Sequence, residues 1–524
     1  MRITVILCGL GLGVGLVAGA CKPGGSQDTE PGTSDEGDTE TCTPGAEGCI
    51  CGADASCEPG LLCASGRCIV NDSVTTSGTI PPTTTTSEDT GDTGNPTETS
   101  GHTMGVTDTG DSECDPAMGV TNPACDDPAA PYCGAGGVCV GCPAIACGEV
   151  SADTPVCDEA AGRCVQCNAS DKGACTGSTP ICDVAASMCT GCTMHSQCPD
   201  SACQMDTGAC FGTALFVDKG ADCASADGTK DLPYCEIGEA TAKLTAEPTA
   251  ILVKPSPSQY TQQVRIAAGR TVAIIRNGNG TARIEVSGSD AVFVSDGATL
   301  RLESLQISKG EVTKGLFCTG AAVVLDKTQV IDRKGLGIEA VDCDLTLRES
   351  RVWLNLGGGI KVNGGELRLE NSFVVTNGGS FTAISGIVIS NGATIDAVYS
   401  TIADNDGKAG VEDSLDCTNA GVVALRNSIV FGQSAASSVD CVDATATTSV
   451  VDSTMLTGEG NVTLPGLDPA WFVDPETGNF SVKAGAPFEN VAIWLTGDPT
   501  GDYNGDARPG RDGAKDYAGA DRPM

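Results

Sequence analysis

Acid–base chemistry in this chain would rest on carboxylates and a few basic side chains. Asp404, Asp406 and Asp413 fall within ten residues, and Asp342 and Asp344 form a second pair. Glycoside hydrolysis by two carboxylates needs them about 5–9.5 Å apart across a groove. The plainer reading of adjacent Asp residues in a D-N-D-G run is a solvated turn. Proton abstraction beside a uronate needs a basic side chain, with calcium or another cation to neutralise the acid. The candidates are Arg333, Lys334, Arg351 and Lys361, with Arg351 and Lys361 on neighbouring turns near Trp353. Their plainer reading is an exposed coil surface. Asp502-Tyr503-Asn504-Gly505-Asp506 has the opening of a calcium loop without the distal Glu that completes one. Two His, at 102 and 195, leave little room for His-based catalysis. No catalytic residue, no metal ligand set and no cofactor is assigned.

The other reactive side chains are the 30 Cys. Setting aside Cys8 and Cys21 leaves 28, in blocks of 6, 16 and 6. An even count in each block is what pairing within modules gives, and so many Cys point to an oxidising compartment. The first block, at 42–68, is too short for a core and would be a small knot. The second, at 114–212, repeats. Cys125…Cys133-x5-Cys139-x2-Cys142 is followed by Cys147…Cys157-x6-Cys164-x2-Cys167 and Cys175…Cys182-x6-Cys189-x2-Cys192, then by a shorter Cys198…Cys203-x6-Cys210. Pro131, Pro155 and Pro180 each precede a second Cys by two residues. The unit resembles Cys-rich repeats of secreted, myxobacterial-type proteins. C-x2-C pairs also suit a tetrahedral zinc–thiolate cage. Zinc needs reduced thiolates, so export ahead of this block favours disulfides. His195, among these Cys, is expected to be an exposed loop residue.

The elements that must carry these residues begin with a leader. Met1-Arg2 precedes an apolar run of 15, residues 3–17, too short for a membrane span of about 20 residues. It fits an export signal. The run ends Ala18-Gly19-Ala20-Cys21, which resembles the lipobox of bacterial lipoproteins. That resemblance implies cleavage after residue 20 and a lipid on Cys21. With Lys22 following, it implies an outer-membrane or cell-surface address. Residues 22–113 carry 17 acidic and 2 basic side chains, and 19 of the 43 residues at 71–113 are Ser or Thr. Such a stretch cannot bury enough apolar area to order itself, so 21–41 and 69–113 read as linker and stalk. The formal net charge of −38 argues against a nucleic-acid partner.

Beyond residue 213 the texture changes to short apolar alternations. The run Asp227-Gly228-Thr229, Pro233, Ile237, Ala240 resembles the N-terminal edge of right-handed parallel β-helix proteins. There a strand, a turn and a short helix cover the first coil. Ile237, Ala240 and Leu244 would form the helix's apolar stripe, and Cys223 and Cys235, which flank the turn, are expected to pair. Six segments then repeat apolar-x-apolar-x4-apolar. They are Leu300-Leu302-Ile307, Val323-Leu325-Val330, Leu345-Leu347-Val352, Leu367-Leu369-Val374, Ile395-Ala397-Ile402 and Val423-Leu425-Val430. Their offsets of 23, 22, 22, 28 and 28 match a coil of three short strands and three turns. A β-sandwich has no such fixed period, and the frame of a leucine-rich repeat is absent. Ser350, Ser372, Ser400 and Ser428 mark a second ladder, and Gly-rich runs at 335–337, 357–359, 363–365 and 377–379 are expected to supply positive φ at corners.

At the C-terminus Asp502, Gly505, Arg508, Pro509, Gly519, Ala520 and Asp521 resemble the ending of secreted bacterial β-helix proteins, which implies a cover over the last coil. The fold class expected is thus all-β: a parallel β-helix at 213–456 with a cap region at 457–524, preceded by the signal at 1–20, the stalk and the disulfide-rich repeats. β-helix hydrolases of the galacturonan type resemble one another in an Asp trio plus G-H-G, and no His follows 195. The function expected is non-catalytic binding or adhesion to a glycan or surface protein, with the membrane as partner through the lipid. Alternatives are a polysaccharide lyase or glycoside hydrolase on the same fold, or a structural surface component.

Overall fold

The computed structural model describes residues 123–523 apart from 312, 380–383, 408–413 and 434–437, together with 114, 116, 121 and two short strands. The signal, Cys21, the stalk, His102 and Asp413 lie outside the described residues. The chain divides into two compact units, Met1–Val106 and Thr107–Met524. In the first unit the strands Leu61–Ala64 and Arg67–Val70 pair antiparallel, with Cys63 opposite Cys68.

In the second unit the chain winds into a right-handed parallel β-helix with three faces. The first face is a ladder of ten strands among the described residues, from Thr213–Val217 and Thr249–Val253 to Val423–Arg426 and Thr445–Thr447. The second face has nine, from Arg283–Ile284 to Val462–Thr463. The third runs from Val264–Ile266 to Val439–Asp440. Ten rungs at the ~4.8 Å strand spacing make a rod of about 43 Å. In the long strands Ile338–Arg348 and Ile360–Glu370 the third face runs straight into the first.

The apolar template sets the register. Leu300, Val323, Leu345, Leu367, Ile395 and Val423 stand one above another on the first face. Ile307, Val330, Val352, Val374, Ile402 and Val430 do so on the second. All are buried in one continuous aliphatic core. The corner between these faces uses one left-handed residue per coil, and it is not glycine: Ser304, Lys327, Glu349, Asn371, Tyr399 and Asn427 all have φ between 43° and 58°. The glycine expectation holds elsewhere, as at Gly364 and Gly365. Gly337 and Gly359 are needed for a different reason. A Cβ on Gly337 would sit 2.7 Å from the Gly359 carbonyl oxygen, and one on Gly359 2.5 Å from that of Gly386.

Polar ladders run inside the corners. Each hydroxyl in the series Thr328, Ser350, Ser372, Ser400, Ser428, Ser449 accepts the backbone N–H of a residue one coil earlier; Ser350 N donates to Ser372 Oγ at 3.1 Å. Asn355, Asn377 and Asn405 form a second, fully buried stack, with Asn355 Nδ2 donating to Asn377 Oδ1 at 2.9 Å and Asn377 Nδ2 to Asn405 Oδ1 at 3.0 Å.

At the N-terminal end the helix Ile237–Thr241 buries Ile237 and Ala240, and it stops before Leu244. Cys223 and Cys235 are disulfide-bonded, and Cys318–Cys343 and Cys417–Cys441 staple successive coils. Ahead of the rod stand four Cys-rich units, each a loop followed by a small hairpin. Their bonds are Cys114–Cys133 with Cys125–Cys139, Cys142–Cys157 with Cys147–Cys164, Cys167–Cys182 with Cys175–Cys189, and Cys192–Cys203 with Cys198–Cys210. The connectivity within each unit is first to third and second to fourth. The C-x2-C spacing therefore straddles two units: Cys139 closes one and Cys142 opens the next.

Candidate functional site

The outward residues of the second face decide what stays open. In register they read Gln306, Gln329, Arg351, Phe373, Thr401, Ile429, and in the alternate row Ser308, Ile331, Trp353, Val375, Ala403, Phe431. The face is polar at its early coils and apolar at its late ones. The C-terminal segment lies on the apolar part, where Phe472, Phe480, Phe488 and Trp494 pack against Phe373, Tyr399, Ile429 and Phe431. The segment expected only as a lid over the last coil thus also clothes a flank, reaching from Val450 back to Trp353.

The polar part is left as a groove of about 470 Å³, lined among others by Arg276, Gln306, Lys327, Gln329, Glu349 and Tyr503. Tyr503, Asn504 and Gly505 form the wall that the C-terminal segment contributes. Beside it Arg351 sits among three rings, 5.2 Å from the Phe373 centroid, 5.3 Å from that of Tyr503 and 5.9 Å from that of Trp353. Its charge is thereby held against aromatic faces. Lys327 Nζ lies 3.2 Å from Glu349 Oε2. Burial pushes the Glu349 carboxyl above its ordinary range; Lys327 draws it down, and Asp326 and Glu370 push it up. The groove offers amides, a guanidinium, an ammonium and a phenol. Among the described lining residues Glu349 is the one carboxylate.

The side chains singled out in the sequence are scattered. Arg333 is fully buried, where its guanidinium donates to the carbonyls of Ser308 and Lys314 and to Thr313 Oγ1. It continues the asparagine stack and faces no solvent. Lys334 is exposed and pairs with Glu311 at 3.3 Å. Lys361 is on the third face, 2.9 Å from Glu339, whereas Arg351 is on the second, so the two do not converge near Trp353. Glu339 is also 3.0 Å from Lys314, and the two lysines outweigh burial and hold its carboxyl below the usual range. Asp342 and Asp344 are exposed where the third face runs into the first. Asp404 is half-buried, raised by burial and by Asp406, and receives Thr376 Oγ1 at 3.4 Å. His195 is not a free loop residue: its Nδ1 accepts the Cys203 N–H and its Nε2 lies 2.9 Å from Glu303 on the first face.

Gln306 and Gln329 escaped the sequence reading, although each immediately precedes the last apolar position of its template. Tyr503 entered it only as part of the run at 502–506, with no signal that it would line a groove.

Residues 107–216, which span the Cys-rich units, match a family described only as of unknown function (DUF8331). No curated protein matches the chain. Among solved structures, a pectate lyase, Pel9A, superposes with a TM-score of 0.39 at 14% identity over 60% of this chain and 97% of its own. A rhamnogalacturonan lyase does so with a TM-score of 0.31 at 11% identity, over 50% and 91%. A GH136 lacto-N-biosidase from Eubacterium ramulus gives 0.25 at 11% identity, over 48% and 67%.

Proposed function

We propose that this chain is a lipid-anchored surface protein whose β-helix binds a polar polymer, a glycan or a glycan-bearing surface partner, in the second-face groove without cleaving it. The observation that carries the reading is the groove's lining. Stacked Gln306 and Gln329 offer donors and acceptors at rung spacing, Arg276 and Lys327 supply positive charge in an otherwise acidic chain, and Tyr503 supplies an edge for sugar faces. A single carboxylate ion-paired to lysine is a poor basis for glycoside hydrolysis, which takes two carboxylates. The lipobox-like Cys21, the acidic stalk and the stapled repeats support the address: together they would lift the rod away from a lipid surface.

The test is a glycan array probed with the exported full chain, run beside reducing-end and unsaturated-uronate assays on the same polymers. Binding is expected, with no new ends. A Gln306→Ala/Gln329→Ala variant should bind roughly tenfold more weakly, the loss expected from one or two hydrogen bonds. New ends or uronate absorbance would overturn the non-catalytic reading in favour of a lyase or hydrolase and make Lys327 and Glu349 the first targets. Binding untouched by the double variant would move the site off this groove. Cys21→Ala should release the protein from the membrane fraction, and retention would sink the anchor.

A further inference from the structure

The wall of the groove hides a second site. Asp502, Asp506 and Asp521 bring carboxylate oxygens within 4.8 Å of one another. Asp502 is fully buried and held still: its Oδ1 accepts the N–H of Asn504 at 3.0 Å and of Asp506 at 2.9 Å, and its Oδ2 that of Arg522 at 3.1 Å. Asp521 is 2% exposed. Its Oδ2 accepts Asn504 Nδ2 at 2.9 Å, while its Oδ1 has no hydrogen-bond partner. Asp506 Oδ2 is likewise buried and unpartnered. Among the described residues no Lys or Arg side chain forms an ion pair with any of the three. Arg508 is spent on Asp516, and the Arg522 guanidinium reaches the Ala507 carbonyl and approaches Asp516 at 3.9 Å.

Three carboxylates packed this closely cannot all stay charged without a counter-charge. Burial pushes Asp521 up to about 7; the Ser481 hydroxyl opposes it, and the Asp502 and Asp506 charges and the neighbouring Asp502 carboxyl add to the rise. We propose that Asp502, Asp506 and Asp521 hold a calcium ion, with the buried, unpartnered oxygens of Asp521 and Asp506 as its free ligands. The donors are all hard oxygens. Several carboxylates from one short loop and a distant residue suit calcium, whereas magnesium keeps most of its waters and takes one or two carboxylates. The missing distal Glu of a continuous calcium loop is replaced by Asp521, brought back by the fold. The ion would tie the chain's last residues to the loop that carries Tyr503. This proposal stands whatever the groove binds.

The test uses the full exported chain stripped with EDTA. Terbium should give luminescence sensitised by Tyr503, competed by calcium and not by equimolar magnesium. Titration calorimetry should find one saturable calcium site, with Kd down to about 10⁻⁴–10⁻³ M or tighter, as in extracellular modules. Calcium should raise Tm by a few degrees over EDTA. Because the Asp521 proton must leave, affinity at pH 5.5 should be roughly tenfold weaker than at pH 7.5. Asp506→Asn and Asp521→Asn should each weaken calcium at least tenfold while leaving Tm in EDTA unchanged or higher, because each removes a repelling charge. The proposal is overturned if folded wild type shows no saturable calcium binding at millimolar ion, or if both variants bind calcium as wild type does. In the first case a proton on Asp521 relieves the repulsion, and Tm in EDTA will rise as pH falls through 7.

Discussion

Among single residues, the buried amide of Asn377 shows most directly how this fold satisfies its corners. Its Nδ2 donates to the Val352 carbonyl at 2.8 Å, the Val375 carbonyl at 3.1 Å and Asn405 Oδ1 at 3.0 Å, and its Oδ1 accepts from Asn355. Asn377→Ala would strand two buried carbonyls and break the stack above and below. A loss of about 2–4 kcal/mol is expected, read as a shift in the denaturant midpoint without a change in slope. Gln306→Ala, on the open groove, should stay within about 0.5 kcal/mol. The serine ladder was legible because one residue type recurs at the template offsets. The asparagine stack recurs just as regularly, since 333, 355, 377 and 405 are separated by 22, 22 and 28. It was hidden because Asn377 heads an N-G-G run that reads locally as a turn, and because its first member is an arginine.

At the scale of elements, the junction between the fourth Cys-rich unit and the rod joins an apolar patch, where Ala202 and Phe211 pack against Ala250, Leu252, Ala273 and Ile275, to an ionic cluster. His195 meets Glu303, and Glu303 and Asp326 share Arg301, at 3.1 Å for Glu303. Burial alone would raise the Glu303 carboxyl, but His195 and Arg301 outweigh it and hold the group below its ordinary value of 4.5. A depressed carboxylate contributes stability above its unfolded pKa and loses it as pH falls through the folded one. The junction should therefore be tight above pH 4.5 and loosen below it. Amide exchange over residues 192–212 should speed up as pH falls below 4.5, after correction for intrinsic rates. Glu303→Gln should show the faster exchange already at pH 6. Equal protection in both proteins at pH 6 would mean that the ion pair does not hold the junction. The stapled units themselves were legible as disulfide modules, yet their boundaries were not. A C-x2-C spacing cannot say whether its two cysteines belong to one unit or to two, and only the bonds decide.

For the whole molecule, the question is why the second face of the rod is clothed at its late coils and open at its early ones. The apolar outward residues of the late coils, Phe373, Ile429 and Phe431, would form an exposed sticky stripe if nothing lay on them. The repeat template registers the inward positions but is blind to these outward ones, and the contacts that cover them are long-range, from Phe431–Trp471 to Phe373–Tyr503. The clasp is Arg508. Its side chain is wholly buried, 2.9 Å from Asp516, with its guanidinium also donating to Asn371 Oδ1 on the rod at 3.0 Å and lying 3.7 Å from the Tyr399 ring centroid. Asp516 is 4% exposed, so removing the arginine strands a buried charge. Arg508→Met should cost about 3–5 kcal/mol and expose the stripe, seen as a lower denaturant midpoint and new binding of a hydrophobic dye. The pair itself need not be stabilising against an apolar substitute, because two charges taken out of water repay their desolvation only partly. Arg508→Met/Asp516→Leu should accordingly recover a large part of the loss. If the double variant is as unstable as the single one, the clasp acts through the Asn371 contact and the ring stacking rather than through the buried ion pair.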